Sequence, residues 1–99
     1  MPYSIEYSPE TDDHLRALTA RQRAMVFDAV DAQLAHEPLV ETRNRKPMRA
    51  NALALWELRV GDLRIYYDVE EESEPVVKIR AVGVKERDQV RIGGEVFEL

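Results

Sequence analysis

The stretch LWELRVGDLRIYYDV, residues 55–69, decides how this 99-residue chain folds. Trp56, Leu58 and Val60 alternate with Leu55, Glu57 and Arg59. Beyond Gly61-Asp62 the alternation resumes, with Leu63, Ile65, Tyr67 and Val69 on one face and Arg64, Tyr66 and Asp68 on the other. A period of two over such short runs marks half-buried β-strands, and Gly61 can take the positive φ that a tight turn requires. The stretch reads as an antiparallel hairpin with an apolar and a polar face. Arg59 and Arg64 then lie near one another on the polar face, where a plain core hairpin would carry Ser or Thr.

Working outward, YSIEY at residues 3–7 alternates in the same way and predicts a first strand. Ser8-Pro9-Glu10 predicts a helix start, with Ser8 as N-cap and Pro9 at the first helical position. Leu15 and Leu18 are the apolar contacts of this short helix. Thr19-Ala20-Arg21-Gln22 has the spacing of a capping box and opens a second helix, in which Phe27, Val30 and Leu34 recur at helical spacing beside Met25 and Val26. Pro38 ends that pattern. TRNRKPMRAN, residues 42–51, reads as a polar, basic connection, EEESEP as a solvated acidic loop, and VVKIRAVGV as a further strand. In QVRIGGEVFEL the pair Gly93-Gly94 predicts a terminal hairpin. The fold class is α+β, in the order βααβββ with an additional C-terminal hairpin, two antiparallel helices covering one face of an antiparallel sheet, in one domain spanning residues 1–99.

The net charge of −5 argues against a general polyanion binder, but it averages over a pattern. Residues 1–42 carry 3 basic and 8 acidic side chains, residues 43–64 carry 6 and 2, and residues 65–99 carry 5 and 9. A basic middle is set in an acidic chain. Cysteine is absent, which excludes disulfides, thiol nucleophiles and thiolate metal sites. No basic and apolar leader and no apolar run of membrane-spanning length occurs, so a soluble, cytoplasmic protein without a membrane partner is expected.

The hairpin, the string VVKIRAVGVKERDQV and the order of elements together resemble the RelE/ParE superfamily of bacterial type II toxins, over residues 3 to about 91. The resemblance implies a toxin held in check by a cognate antitoxin. RelE-type members act as mRNA interferases, inhibiting translation by cutting mRNA in the ribosomal A site without metal or cofactor. RNA supplies its own 2′-hydroxyl nucleophile, so such a protein must orient the phosphate, stabilise charge and move protons. Arg64 falls where the family keeps its most recurrent catalytic arginine, Arg59 stands beside it, and Lys85 matches a position where many members carry arginine. These three are the catalytic candidates. Arg43, Arg45, Lys46 and Arg49 are expected to steer nucleic-acid phosphate together with Arg87 and Arg91, and Tyr66 to stack on a base.

The chain also departs from the family. Leu55 and Glu57 stand where strong RelE nucleases tend to carry lysine, Arg91 stands where some place a catalytic tyrosine, and no general base is evident. The ParE branch lacks the nuclease residues and poisons DNA gyrase, which gives a second function; a non-toxic interaction protein with the same fold is a third. His14 and His36 lie on helical segments away from the hairpin and read as surface histidines. The acidic run Glu70, Glu71, Glu72 and Glu74 lacks a glycine-punctuated cation loop, and Gly93-Gly94 is a turn.

Overall fold

The computed structural model describes residues 2–98. Elements follow in the order β1 (Ser4–Tyr7), α1 (Thr11–Arg16), α2 (Ala20–Leu34), β2 (Arg45–Pro47), β3 (Trp56–Val60), β4 (Leu63–Glu70), β5 (Val76–Glu86), β6 (Gln89–Ile92) and β7 (Glu95–Phe97). Strands β2 to β7 lie side by side in chain order, each antiparallel to the next. Strand β1 departs from the all-antiparallel expectation: it pairs parallel with the first half of β5, Ser4 opposite Val76 and Tyr7 opposite Ile79. One edge of β5 is thus shared between β1 and β6. Among the described residues no helix is long and apolar enough to cross a membrane.

The expected capping box forms at Thr19, whose hydroxyl accepts from the Gln22 amide at 3.1 Å while its own amide donates to the Gln22 side chain at 2.9 Å. Helix α1 begins later than the Ser8-Pro9 signal suggests. The Ser8 carbonyl accepts both the amide and the hydroxyl of Thr11, at 3.0 and 2.6 Å, closing a turn over Pro9-Glu10 before the helix starts. Helix α1 packs against β5, and α2 against β1, β3 and β4. On α2 the buried stripe is Val26, Ala29, Val30 and Leu34; Phe27, expected in the core, is 41% exposed and meets the Tyr7 ring edge-on. Val26, Leu34, Leu58, Ile65, Tyr67, Val77, Ile79 and Val82 are at the centre of the core between helices and sheet.

Two features of the sheet were not anticipated. The basic connection contains a strand, because Arg45, Lys46 and Pro47 pair with Leu58, Glu57 and Trp56 to form β2. Strand β5 also carries a bulge: Tyr66 faces Ala81 but Tyr67 faces Ile79, leaving Arg80 as an extra residue. One added residue exchanges the two faces of a strand. Val77 and Ile79 before the bulge and Val82 and Val84 after it therefore all point to the helices, while Ala81 points the other way.

The face away from the helices carries a second, smaller apolar cluster. Ala54, Tyr66, Ala81, Val90 and Ile92 are buried there, with Met48, Leu53 and Phe97 against them. The close crossing of β6 explains Gly83: a Cβ at that position would stand 2.6 Å from the Arg91 carbonyl oxygen and 2.7 Å from the Ile92 side chain.

Candidate functional site

The site grows out of the β3–β4 turn. Gly61 adopts φ +58°, in open space, so the chain reverses tightly enough to set Arg59 directly opposite Arg64. Two like charges in register repel, and each guanidinium finds its own partner. Arg59 Nε donates to Glu57 Oε1 at 2.7 Å. Arg64 folds back over the turn, its Nη1 donating to the carbonyls of Gly61 and Leu63 at 2.7 and 2.9 Å, which leaves it only 8% exposed. The Lys85 amide donates to the Asp62 carbonyl at 2.7 Å and ties β5 to the same turn. The register also places Lys46, Glu57, Tyr66 and Ala81 in one row across four strands.

Two adjoining depressions open on this face. One, of about 330 Å³, is lined by Glu57, Arg59, Arg64, Lys85, Asp88 and Val90. The other, of about 430 Å³, includes Lys46, Met48, Arg49, Asn51, Glu57, Arg59 and Glu98 in its lining. Glu57 and Arg59 belong to both and form the divide between them. Across the two, the cations Lys46, Arg49, Arg59, Arg64 and Lys85 outnumber the acids Glu57, Asp88 and Glu98. Such a groove suits a polyanion held by charge-assisted hydrogen bonds. The acids from the C-terminal segment, Asp88 and Glu98, were missed in the sequence, where nothing marks a distant hairpin as a wall of the groove.

The fold brings the catalytic candidates Arg59, Arg64 and Lys85 together in one depression and adds Lys46 and Arg49 in its neighbour. The other candidates stand elsewhere. Tyr66 is fully buried, covered by Ala54, Val90 and Ile92, so it presents no ring for base stacking. Its hydroxyl lies near the Glu57 carboxylate but in no hydrogen bond of acceptable geometry; burial first, then that negative charge, push the phenol far above its ordinary range. Arg45 is buried as well, on the helix side, where its Nη1 donates to the Gln33 carbonyl in the last turn of α2 at 2.6 Å. That bond satisfies a helix-end carbonyl rather than a phosphate. Arg91 is exposed but clamped by the Glu86 carboxylate, which raises the affinity of the guanidinium for its proton and lowers that of the carboxyl. Arg43 is exposed before β2 and Arg87 is exposed at the β5–β6 turn with φ +60°; neither lines the two depressions.

His14 is less exposed than expected. A Cβ on Gly93 would come within 3.0 Å of its ring, and its Nδ1 accepts from the Val82 amide at 3.4 Å. Burial lowers its proton affinity, against the opposing pull of Asp13, Glu10 and Glu95. Among the described residues no three His, Asp or Glu side chains are grouped to hold a metal ion.

Toxin RelG of Mycobacterium tuberculosis is 30% identical to the chain over 80 residues, which are 81% of this chain and 88% of RelG. The chain belongs to the RelE family of toxins. The crystal structure of the toxin-antitoxin complex RelBE2 from the same organism contains a similar chain, matched with a TM-score of 0.72 and 26% identity over 86% of this chain and 100% of that one. No family model matches the sequence. In this RelE-family chain the α+β layout, two helices on one face of a largely antiparallel sheet, is shared with that solved structure.

Proposed function

We propose that this RelE-family toxin is a ribosome-dependent mRNA endonuclease that works without metal, and that a cognate antitoxin protein is its resting partner. The observation that carries the reading is the cationic groove on the free sheet face, where Lys46, Arg49, Arg59, Arg64 and Lys85 converge in a chain of net charge −5. Arg64 grips the scissile phosphate: only its Nη1 is engaged by the turn among the described residues, and a guanidinium has five N–H donors. Arg59 keeps its Nε on Glu57 and turns its Nη groups to a neighbouring phosphate oxygen. Lys85 protonates the departing oxygen, and Lys46 and Arg49 hold the strand along the second depression. RelBE2, the solved relative, is a toxin-antitoxin complex, which supports the antitoxin partner.

Primer-extension mapping of translated mRNA after induction tests the activity. New cuts in phase with codons are expected, and their absence from cells arrested in growth would refute the reading. The Glu57–Arg59 pair in the middle of the groove favours, in that event, the ParE-like alternative, tested by whether an excess of the purified protein blocks supercoiling by DNA gyrase.

A further inference from the structure

We infer that Glu57 is the general base of the cleavage step, an assignment that rests on the endonuclease reading. Three observations carry it. Glu57 lies on the divide between the two depressions, the place where a strand laid along both would pass. Its side chain is only 13% exposed, and Arg59 holds one carboxylate oxygen at 2.7 Å, while among the described residues no hydrogen bond reaches Oε2. It is also surrounded by groups of complementary role: Lys46 directly across β2, Arg59 beside it on β3, and Arg64 and Lys85 in the same depression.

A carboxylate kept only to neutralise Arg59 could do so from solvent, as the exposed Arg16–Asp13 and Arg91–Glu86 pairs do. Glu57 instead stands partly desolvated among the cations that would bind the phosphate, with Oε1 held by Arg59, Oε2 in no hydrogen bond among the described residues, and the buried Tyr66 hydroxyl near the carboxylate. That is the arrangement a proton acceptor for a 2′-hydroxyl requires: orientation by one hydrogen bond, and a free lone pair toward the substrate.

In the assigned step the open carboxylate oxygen takes the 2′-hydroxyl proton. The 2′-oxygen then forms a bond to the adjacent phosphorus while the bond from phosphorus to the 5′-oxygen breaks. The departing 5′-oxygen takes a proton from the Lys85 ammonium, and the equatorial charge is met by Arg64 and Arg59. The products are a 2′,3′-cyclic phosphate and a 5′-hydroxyl, with Glu57 protonated and Lys85 neutral until solvent resets both. No metal, oxidant or reductant enters the balance.

The test is single-turnover cleavage of mRNA bound to programmed ribosomes, with ribosome binding measured in parallel, for the wild type, Glu57→Gln and Glu57→Asp. Glu57→Gln is expected to bind ribosomes at least as tightly, because the groove gains net positive charge, yet to cleave about 10²–10⁴-fold more slowly. Ends cut by the wild type should carry the cyclic phosphate. Glu57→Asp retains the carboxylate and is expected to recover part of the rate, which covers the case in which Glu57→Gln fails to fold. Wild-type cleavage with undiminished or faster cleavage by Glu57→Gln overturns the base assignment alone and makes Glu57 a brake on the groove. An inactive wild type overturns the endonuclease reading and the base with it.

Discussion

Replacing each of the adjacent tyrosines by phenylalanine should shift stability in opposite directions. Tyr66 and Tyr67 are both 0% exposed, but they point to opposite sides of β4 and their hydroxyls have different fates. The Tyr67 hydroxyl donates to the Pro38 carbonyl at 2.6 Å, inside the main core. Removing it deletes that bond and strands a buried carbonyl, and together these cost about 2 kcal/mol. For a domain of this size that corresponds to a fall in Tm of roughly 8–16 °C. The Tyr66 hydroxyl has no partner, so the folded state carries its desolvation with no bond in return. Tyr66→Phe should therefore be neutral or stabilising, by up to about 1 kcal/mol, since the ring stays in place and only the unpaired group leaves. Thermal and urea melts followed by circular dichroism separate the cases, and because the side chains occupy different clusters the double variant should be close to additive. If Tyr66→Phe loses as much stability as Tyr67→Phe, the Tyr66 hydroxyl is satisfied and the account of the second cluster is wrong.

Gly83→Ala should be strongly destabilising, by at least about 1–3 kcal/mol, because the new methyl meets the Arg91 backbone oxygen and cannot be relieved by side-chain movement alone; a melt within 2 °C of wild type would contradict the tight crossing of β6. Arg64→Ala should lose toxicity and also about 1–3 kcal/mol, since a nearly buried guanidinium leaves two carbonyls unpaired. A growth-arrest assay beside a melt checks both, and an unchanged melt would mean the Arg64 side chain is free in solution. Stability should also fall as the medium is made alkaline. Burial raises the phenols of Tyr66 and Tyr67 above the ordinary value and that of Tyr7 to about 12, so the unfolded chain releases these protons first. The stabilising effect is complete below about pH 10 and is lost as pH rises toward the folded values, at up to about 1.4 kcal/mol per pH unit for each fully buried ring. Urea midpoints between pH 9 and 12 report it, and a flat profile would refute the burial of the rings.

What the sequence revealed depended on how local the controlling interaction was. The β3–β4 hairpin, the α2 capping box and the Gly93-Gly94 turn are set by residues within a few positions of one another, and all three form as their patterns suggest. Strand β2 escaped notice because Arg45-Lys46-Pro47 has neither alternation nor β-branched residues; pairing with β3 makes it a strand. The parallel docking of β1 depends on residues 72 positions away. Phe27 fits the helical period, yet the core takes the stripe through Val26, Ala29, Val30 and Leu34, which leaves Phe27 at its margin against Tyr7. The convergence of Arg59, Arg64 and Lys85 was readable for the first two from the hairpin alone. Lys85 reaches the same face only because the bulge at Arg80 exchanges the faces of β5, which no periodic reading of VVKIRAVGV reveals. Tyr66 and Arg45 went astray for one reason: a polar tip on a long apolar side chain says nothing about whether another segment will cover it.

The divided edge of β5 has a bearing on the time course of folding. Strands β2 to β5 are successive neighbours, so their contacts close through short loops and can form early. Strand β1 has no place to dock until residues 76–79 are in position, and closing that 72-residue span carries a loop-entropy term of about 4 kcal/mol that the meander does not face. The N-terminal strand should thus be among the last to settle, and α2, anchored partly on it, should tighten with it. A nascent chain interrupted before Val76 would hold the basic hairpin without the strand that seats its N-terminus, leaving an open sheet edge prone to pair with other chains. Native-state hydrogen exchange that protects the β1 amides less than those of β4 would mark the last seam of the molecule to close and the first to reopen.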